Sequence, residues 1–241
     1  MHGSINICTE EQEHMALICG IDEAGRGPVI GPLVLCGAII EERDEKKLKA
    51  LGVRDSKLLS PAQRERLFDE LQRIVRYECH TVLPAEIDTA VESETTNLNW
   101  LEADHTAAII NALKPAKAYV DCPSPNINAY LAYLKGKVTV DCAIIAEHKA
   151  DAKYPIVSAA SILAKVSRDR EIAKIQQRFT EPMGSGYPAD ARTVEFMEKN
   201  YQKYPEIFRR SWASYKRLAG EGKKQRKLGE FSAHSAKADQ R

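Results

Sequence analysis

Two short apolar runs, residues 16–21 and 33–40, open the patterned part of the chain, separated by a segment rich in glycine and proline. The first is too short for a helix and the second is broken by Gly37, so the pattern predicts two strands paired antiparallel across a turn. Ser60 followed by Pro61 marks a helix start, with serine as N-cap and Leu67, Leu71, Ile74 and Val75 as the buried stripe. Residues 76–83 predict a third strand, and 84–91 and 97–113 predict helices. A fourth strand over 116–120, a helix over 125–134 and a fifth strand region over 137–145 follow. Residues 155–179 form the longest helical candidate, and 188–200 a further one.

Three consecutive strands followed by strand–helix–strand predict an α/β fold. Its mixed sheet of five strands has an antiparallel part and a parallel crossover, is flanked by helices, and carries a C-terminal helical extension. Apolar residues thin beyond Tyr201 and nearly vanish after Leu218. The chain therefore divides into a disordered lead-in (residues 1–15), a folded body (16–219) and a flexible basic tail (220–241).

Composition narrows the class. With 44% apolar and 29% charged residues the chain is an ordinary globular protein. The longest apolar stretch, residues 29–40, is interrupted by Gly31, Pro32 and Gly37 and cannot span a bilayer. Glu10, Glu11 and Glu13 stand where a secretory signal would need a basic cluster and an apolar run. A soluble, monomeric, cytoplasmic protein without a membrane partner is expected. The six cysteines form no C-x-x-C pair and read as free, buried small residues, with Cys19, Cys36 and Cys142 inside strand-like segments. The net charge is +1, but residues 216–241 hold eight Lys/Arg against three Asp/Glu, so a basic tail hangs from a mildly acidic body.

The candidate chemistry lies in carboxylates. Asp22, Glu23 and Asp121 each close an apolar run, at the strand ends where ligands collect in open α/β sheets, and Asp151 precedes the longest helix. No histidine or cysteine accompanies them at ligand spacing, so an all-oxygen site for Mg²⁺ or Mn²⁺ is the natural reading, with surface ion pairs as the alternative. Four converging carboxylates would raise one another's pKa unless a cation sat among them. Residues 20–32, GIDEAGRGPVIGP, place Arg26 between two glycines beside the acidic pair, where backbone can approach a ligand closely. The segment matches neither common glycine-rich nucleotide motif.

These residues resemble ribonuclease HII, the archaeal form most closely. The resemblance spans residues 17–218. It rests on GIDEAGRGPVIGP at 20–32, DSKL at 55–58, YVD at 119–121, EHKADAKYP at 147–155, VSAASILAKVSRD at 157–169 and GSGYP at 184–188. It implies the ribonuclease H-like fold, in which the first and fourth strands are neighbours, and it assigns Asp22, Glu23, Asp121 and Asp151 as the metal-binding catalytic carboxylates. It further implies two divalent ions and cleavage that leaves 5′-phosphate and 3′-hydroxyl ends. The expected substrates are RNA–DNA hybrids and DNA containing ribonucleotides, in replication and repair. Gly25, Arg26 and Gly27 would sense the ribose 2′-hydroxyl, with Tyr187 packing on the next sugar. Lys57, Lys149 and Lys165 are candidate phosphate contacts. His148 reads as a surface or supporting residue, and His105 has no partner legible in the sequence. In the tail, Gln225, Leu228 and Phe231 resemble the sliding-clamp (PCNA) binding peptide, with Ser232 where a second aromatic is usual. The related ribonuclease HIII family carries an extra N-terminal domain, for which few residues precede the first strand.

Overall fold

The computed structural model describes residues 16–53 and 59–220. Five strands, β1 (Leu17–Ala24), β2 (Leu33–Glu41), β3 (Arg76–Val82), β4 (Lys117–Asp121) and β5 (Ala143–Glu147), form one sheet in the order β3-β2-β1-β4-β5. β1 is central, antiparallel to β2 and parallel to β4, so the predicted hairpin and crossover meet on one strand. Nine α-helices accompany them among the described residues: α1 (Glu45–Ala50), α2 (Pro61–Leu71), α3 (Pro84–Glu92), α4 (Leu98–Leu113), α5 (Ile127–Lys137), α6 (Ala150–Lys153), α7 (Pro155–Gln176), α8 (Ala191–Asn200) and α9 (Ala213–Leu218). None is long and apolar enough to cross a membrane.

Each face of the sheet buries its own core. Even-numbered β2 residues Val34, Cys36, Ala38 and Ile40 pack under α7 with Phe68 and Leu71 of α2, while Leu33, Leu35 and Ile39 face Ile109 and Ile110 of α4. The first half of α7 is buried all round, and small residues make that possible: Ser158, Ala159, Ala160 and Ser161 let its backbone lie against β1. Gly20 completes the fit, because a Cβ there would stand 2.3 Å from the Ile156 carbonyl carbon. A third core joins Val29 and Ile30 of the turn after β1 to Met183, Phe196, Ile207, Phe208 and Tyr215.

The boundaries show where local chemistry overrides apolar pattern. Ser60 caps α2 through a reciprocal pair of bonds with Gln63, as its position suggests. The buried residues of α2 are Phe68 and Leu71; Leu67 is half-buried, and Ile74 and Val75 lie beyond the helix. Residues 137–145 do not form a strand throughout, because α5 runs on to Lys137 and the strand begins only at Ala143. Asn126, not Pro125, sets the start of α5 by accepting the Ala129 N–H. Asp190 likewise delays α8 to Ala191 by capping the Arg192 N–H.

The cysteine expectation is corrected. The β2–β3 register sets Cys36 directly opposite Cys79, and the two are joined as a disulfide. A separation of 43 residues hides such a pairing from spacing rules. Cys142 stands just before β5 and is only half-buried; Cys19 and Cys122 are buried and free.

Candidate active site

Parallel pairing of β1 with β4 sets Ile21 beside Val120, so the next residues, Asp22 and Asp121, are neighbours where both strands leave the sheet. Residues 148–150 then turn back. Lys149 adopts a left-handed conformation (φ 58°) and the Ala150 N–H donates to Asp121 Oδ1 at 3.0 Å, which brings Asp151 round on α6. Carboxylate oxygens of Asp22, Asp121 and Asp151 all lie within 4.8 Å of one another. Glu23, one residue on, completes the acidic group on the side where Arg26 and Glu102 lie.

Burial and mutual crowding set the charge state of this group. Asp22 is only 6% exposed, and burial pushes its carboxyl up to about 7. The Ser161 hydroxyl and the Glu23 N–H hold it down in part, as does the Lys165 charge, while Asp121 adds to the rise. Glu23 is driven well above the usual carboxylate range, by burial first and then by Asp22, Glu102 and Asp121, against the pull of Arg26. All donors are oxygen. The raised Asp22 and Glu23 carboxyls, crowded beside Asp121 and Asp151, fit a hard divalent cation, which would replace their protons.

Beside the carboxylates opens a cleft of about 400 Å³, lined by Glu23, Gly25, Arg26, Gly27, Lys165, Arg168 and Tyr187. Gly25 has φ 87°, and Gly27 lies so close to Tyr187 that a Cβ would stand 3.1 Å from its ring. Tyr187 itself is 46% exposed, a ring presented to solvent rather than packed in the core. Lys165 donates to Ser161 at 2.7 Å and faces the acidic group instead of a solvated helix surface. Lys149 is exposed and lies outside the cleft lining; His148 sets Nδ1 3.0 Å from the Cys122 carbonyl oxygen. Lys57 and the tail residues Gln225, Leu228 and Phe231 lie outside the described residues.

Several residues of the site went unnamed in the sequence reading. Arg26 donates to Glu102 at 2.9 Å and to Asn99 at 2.8 Å, both on α4, so its guanidinium is fixed by the protein. Glu102 is buried, only 1% exposed, on a helix that also carries Asp104 and His105, so its charge alone did not mark it out. Arg209, fully buried, donates to the carbonyl oxygens of Gly25, Arg26 and Gly31, and Trp212 Nε1 donates to that of Gly27. The carbonyl side of the loop is thus held from behind by a segment 178 or more residues away. Arg168, in the 157–169 motif, lines the cleft, with its Nε and Nη2 buried and without a hydrogen-bond partner.

A family model described as Ribonuclease HII matches residues 19–215. The curated Ribonuclease HII of Pyrococcus horikoshii is 47% identical over 207 residues, covering 83% of this chain and 92% of its own. A crystal structure described as ribonuclease H2 from the same organism superposes with a TM-score of 0.78 at 45% identity, covering 85% of this chain and 98% of that one. A structure described as the PCNA:RNase HII complex from Archaeoglobus fulgidus matches with a TM-score of 0.74 at 41% identity, covering 81% and 95%.

Proposed function

The chain belongs to the ribonuclease HII family, endonucleases that act on the RNA of RNA–DNA hybrids and leave 5′-phosphate products, and from that premise we propose its site and reach. It cuts both hybrids and single ribonucleotides embedded in DNA, with Asp22, Glu23, Asp121 and Asp151 as the catalytic carboxylates. The observation that carries this reading is the cluster of Asp22, Asp121 and Asp151, next to Glu23, which lines the Gly25–Tyr187 cleft. These residues would hold two Mg²⁺ or Mn²⁺ ions, which supply Lewis acidity at the scissile phosphate and lower the pKa of the attacking water.

The remaining work falls to the chain itself. Lys165 and Arg168 bring positive charge to the phosphate in a body that is otherwise mildly acidic, with Lys57 and Lys149 as further contacts along the duplex. Gly25, Arg26 and Gly27 read the 2′-hydroxyl from a backbone that Arg209 and Trp212 keep from shifting. Tyr187, with its ring against Gly27, packs on the sugar that follows. Preorganisation of this kind costs nothing at the moment of reaction. The tail would tether the enzyme to a sliding clamp through Gln225, Leu228 and Phe231; support comes from the similar structure described as a PCNA:RNase HII complex.

The test is cleavage of a DNA duplex bearing one ribonucleotide, beside an all-RNA/DNA hybrid, with Mg²⁺ and with Mn²⁺. Cutting of both, with 5′-phosphate and 3′-hydroxyl ends, is expected. An intact single-ribonucleotide duplex under conditions that cut the hybrid would remove the wider substrate range.

A further inference from the structure

Away from the carboxylates, His80 of β3 and His105 of α4 meet at the free edge of the sheet. Their Nδ1 atoms are 3.1 Å apart and the rings stand edge to face. Each outer nitrogen has a carboxylate behind it. His105 Nε2 lies 3.0 Å from Glu86 Oε1 on α3, and His80 Nε2 lies 3.6 Å from Glu78 Oε1 on β3. Neither the core nor the nuclease site uses these four residues.

The proton positions follow from the partners. Glu86 accepts the Nε2 proton of His105, so His105 Nδ1 presents a lone pair and His80 Nδ1 carries the proton between the rings. Moving that one proton from Nδ1 to Nε2 of His80, toward Glu78, leaves two lone pairs facing a common point. No net charge changes. Two imidazole nitrogens bound to one tetrahedral cation at ~2.0–2.1 Å stand about 3.3–3.4 Å apart, so the 3.1 Å separation needs to open by only tenths of an ångström. A carboxylate on the distal nitrogen of each ring is the arrangement that fixes tautomer and orientation in histidine metal sites.

We propose that His80 and His105 form a second metal site, taking a borderline transition-metal ion such as Zn²⁺, Ni²⁺ or Cu²⁺, with Glu78 and Glu86 orienting the rings. Burial and the neighbouring His105 hold His80 below its ordinary pKa against the pull of Glu78 and Glu86, which keeps its ring neutral at neutral pH. The ligands are nitrogen where the catalytic group is all oxygen, so the two sites prefer different metals. Glu23, Leu35 and His80 share one register row, which places the pair two strand spacings, ~10 Å, from the nearest catalytic residue. The rings are 25% and 21% exposed, so solvent completes the coordination and the ion exchanges freely. A bound ion would tie β3 to α4, the helix whose Glu102 anchors Arg26.

The experiment titrates the full-length chain with Cu²⁺ in excess Mg²⁺ and records electron paramagnetic resonance spectra. One equivalent with couplings from two imidazole nitrogens is expected, and Zn²⁺ should raise the melting temperature. His80→Gln and His105→Gln, each with the other five histidines intact, should each weaken binding at least tenfold and lose the two-nitrogen signature. Undiminished binding in both variants, or a spectrum with oxygen ligands only, overturns the proposal. If a variant fails to fold, ring ¹⁵N shifts in the wild type decide. Movement of both Nδ1 signals on adding Zn²⁺ supports the site, and unmoved signals overturn it.

Discussion

Two buried charge assemblies flank the same cleft, and they are built on opposite terms. Arg209 is completely enclosed, yet each of its three nitrogens meets a carbonyl oxygen of the Gly25–Gly31 loop, and Arg26 is met by Glu102 and Asn99. Asp22, Asp121 and Asp151, also sheltered, are set against one another, with Lys165 and backbone N–H groups as partial relief. Burial with hydrogen-bond partners fixes geometry; carboxylates crowded within 4.8 Å of one another favour a cation. The contrast separates residues that position the substrate from residues that perform the reaction.

Breaking the acidic side should give the largest effect. Asp121→Asn keeps size and hydrogen bonding but removes charge, so cleavage should fall by three or more orders of magnitude while the fold survives. Single-turnover rates beside circular dichroism would check both halves, and full activity would refute the assignment. Breaking the satisfied side should act on stability. Arg209→Met strands three buried carbonyl groups and should cost about 3 kcal/mol or more, read as a shifted urea midpoint.

Smaller effects sharpen the division. Glu102→Gln leaves Arg26 a neutral partner, so cleavage should drop about tenfold, the scale of one charge-assisted hydrogen bond. Discrimination between a ribonucleotide and its 2′-methoxy analogue should narrow with it. Tyr187→Ala should lower turnover at a lone ribonucleotide by a smaller factor, and lower it more than binding. Equal losses would make Tyr187 an affinity residue only.

Much of this was legible in the chain. The short runs before Asp22 and Asp121 announced strands with acids at their ends, and the order of strands and helices predicted the mixed sheet. What stayed hidden depended on pairing across long separations. Nothing near Arg209 in sequence says that its partners are Gly25, Arg26 and Gly31. Nothing near Cys36 points to Cys79, and His80 and His105 meet only because β3 and α4 cross. The misplaced boundaries at α5 and α8 have a local cause: Asn126 and Asp190 supply caps that outweigh the neighbouring prolines.

Burial of Asp22 and Glu23 weighs against the fold until a cation joins them, and thermal unfolding against pH is the direct measure of that burden. The Asp22 carboxyl, raised by burial from the ordinary aspartate range to about 7 in the folded chain, favours folding below pH 4 and loses that contribution as pH rises through 7. The account predicts that the metal-free wild type, relative to Asp22→Asn, loses melting temperature between pH 4 and 7, and that Mg²⁺ or Mn²⁺ restores it at pH 8 in the wild type far more than in the variant. Parallel pH profiles for the two proteins, with no metal-dependent difference, would contradict it.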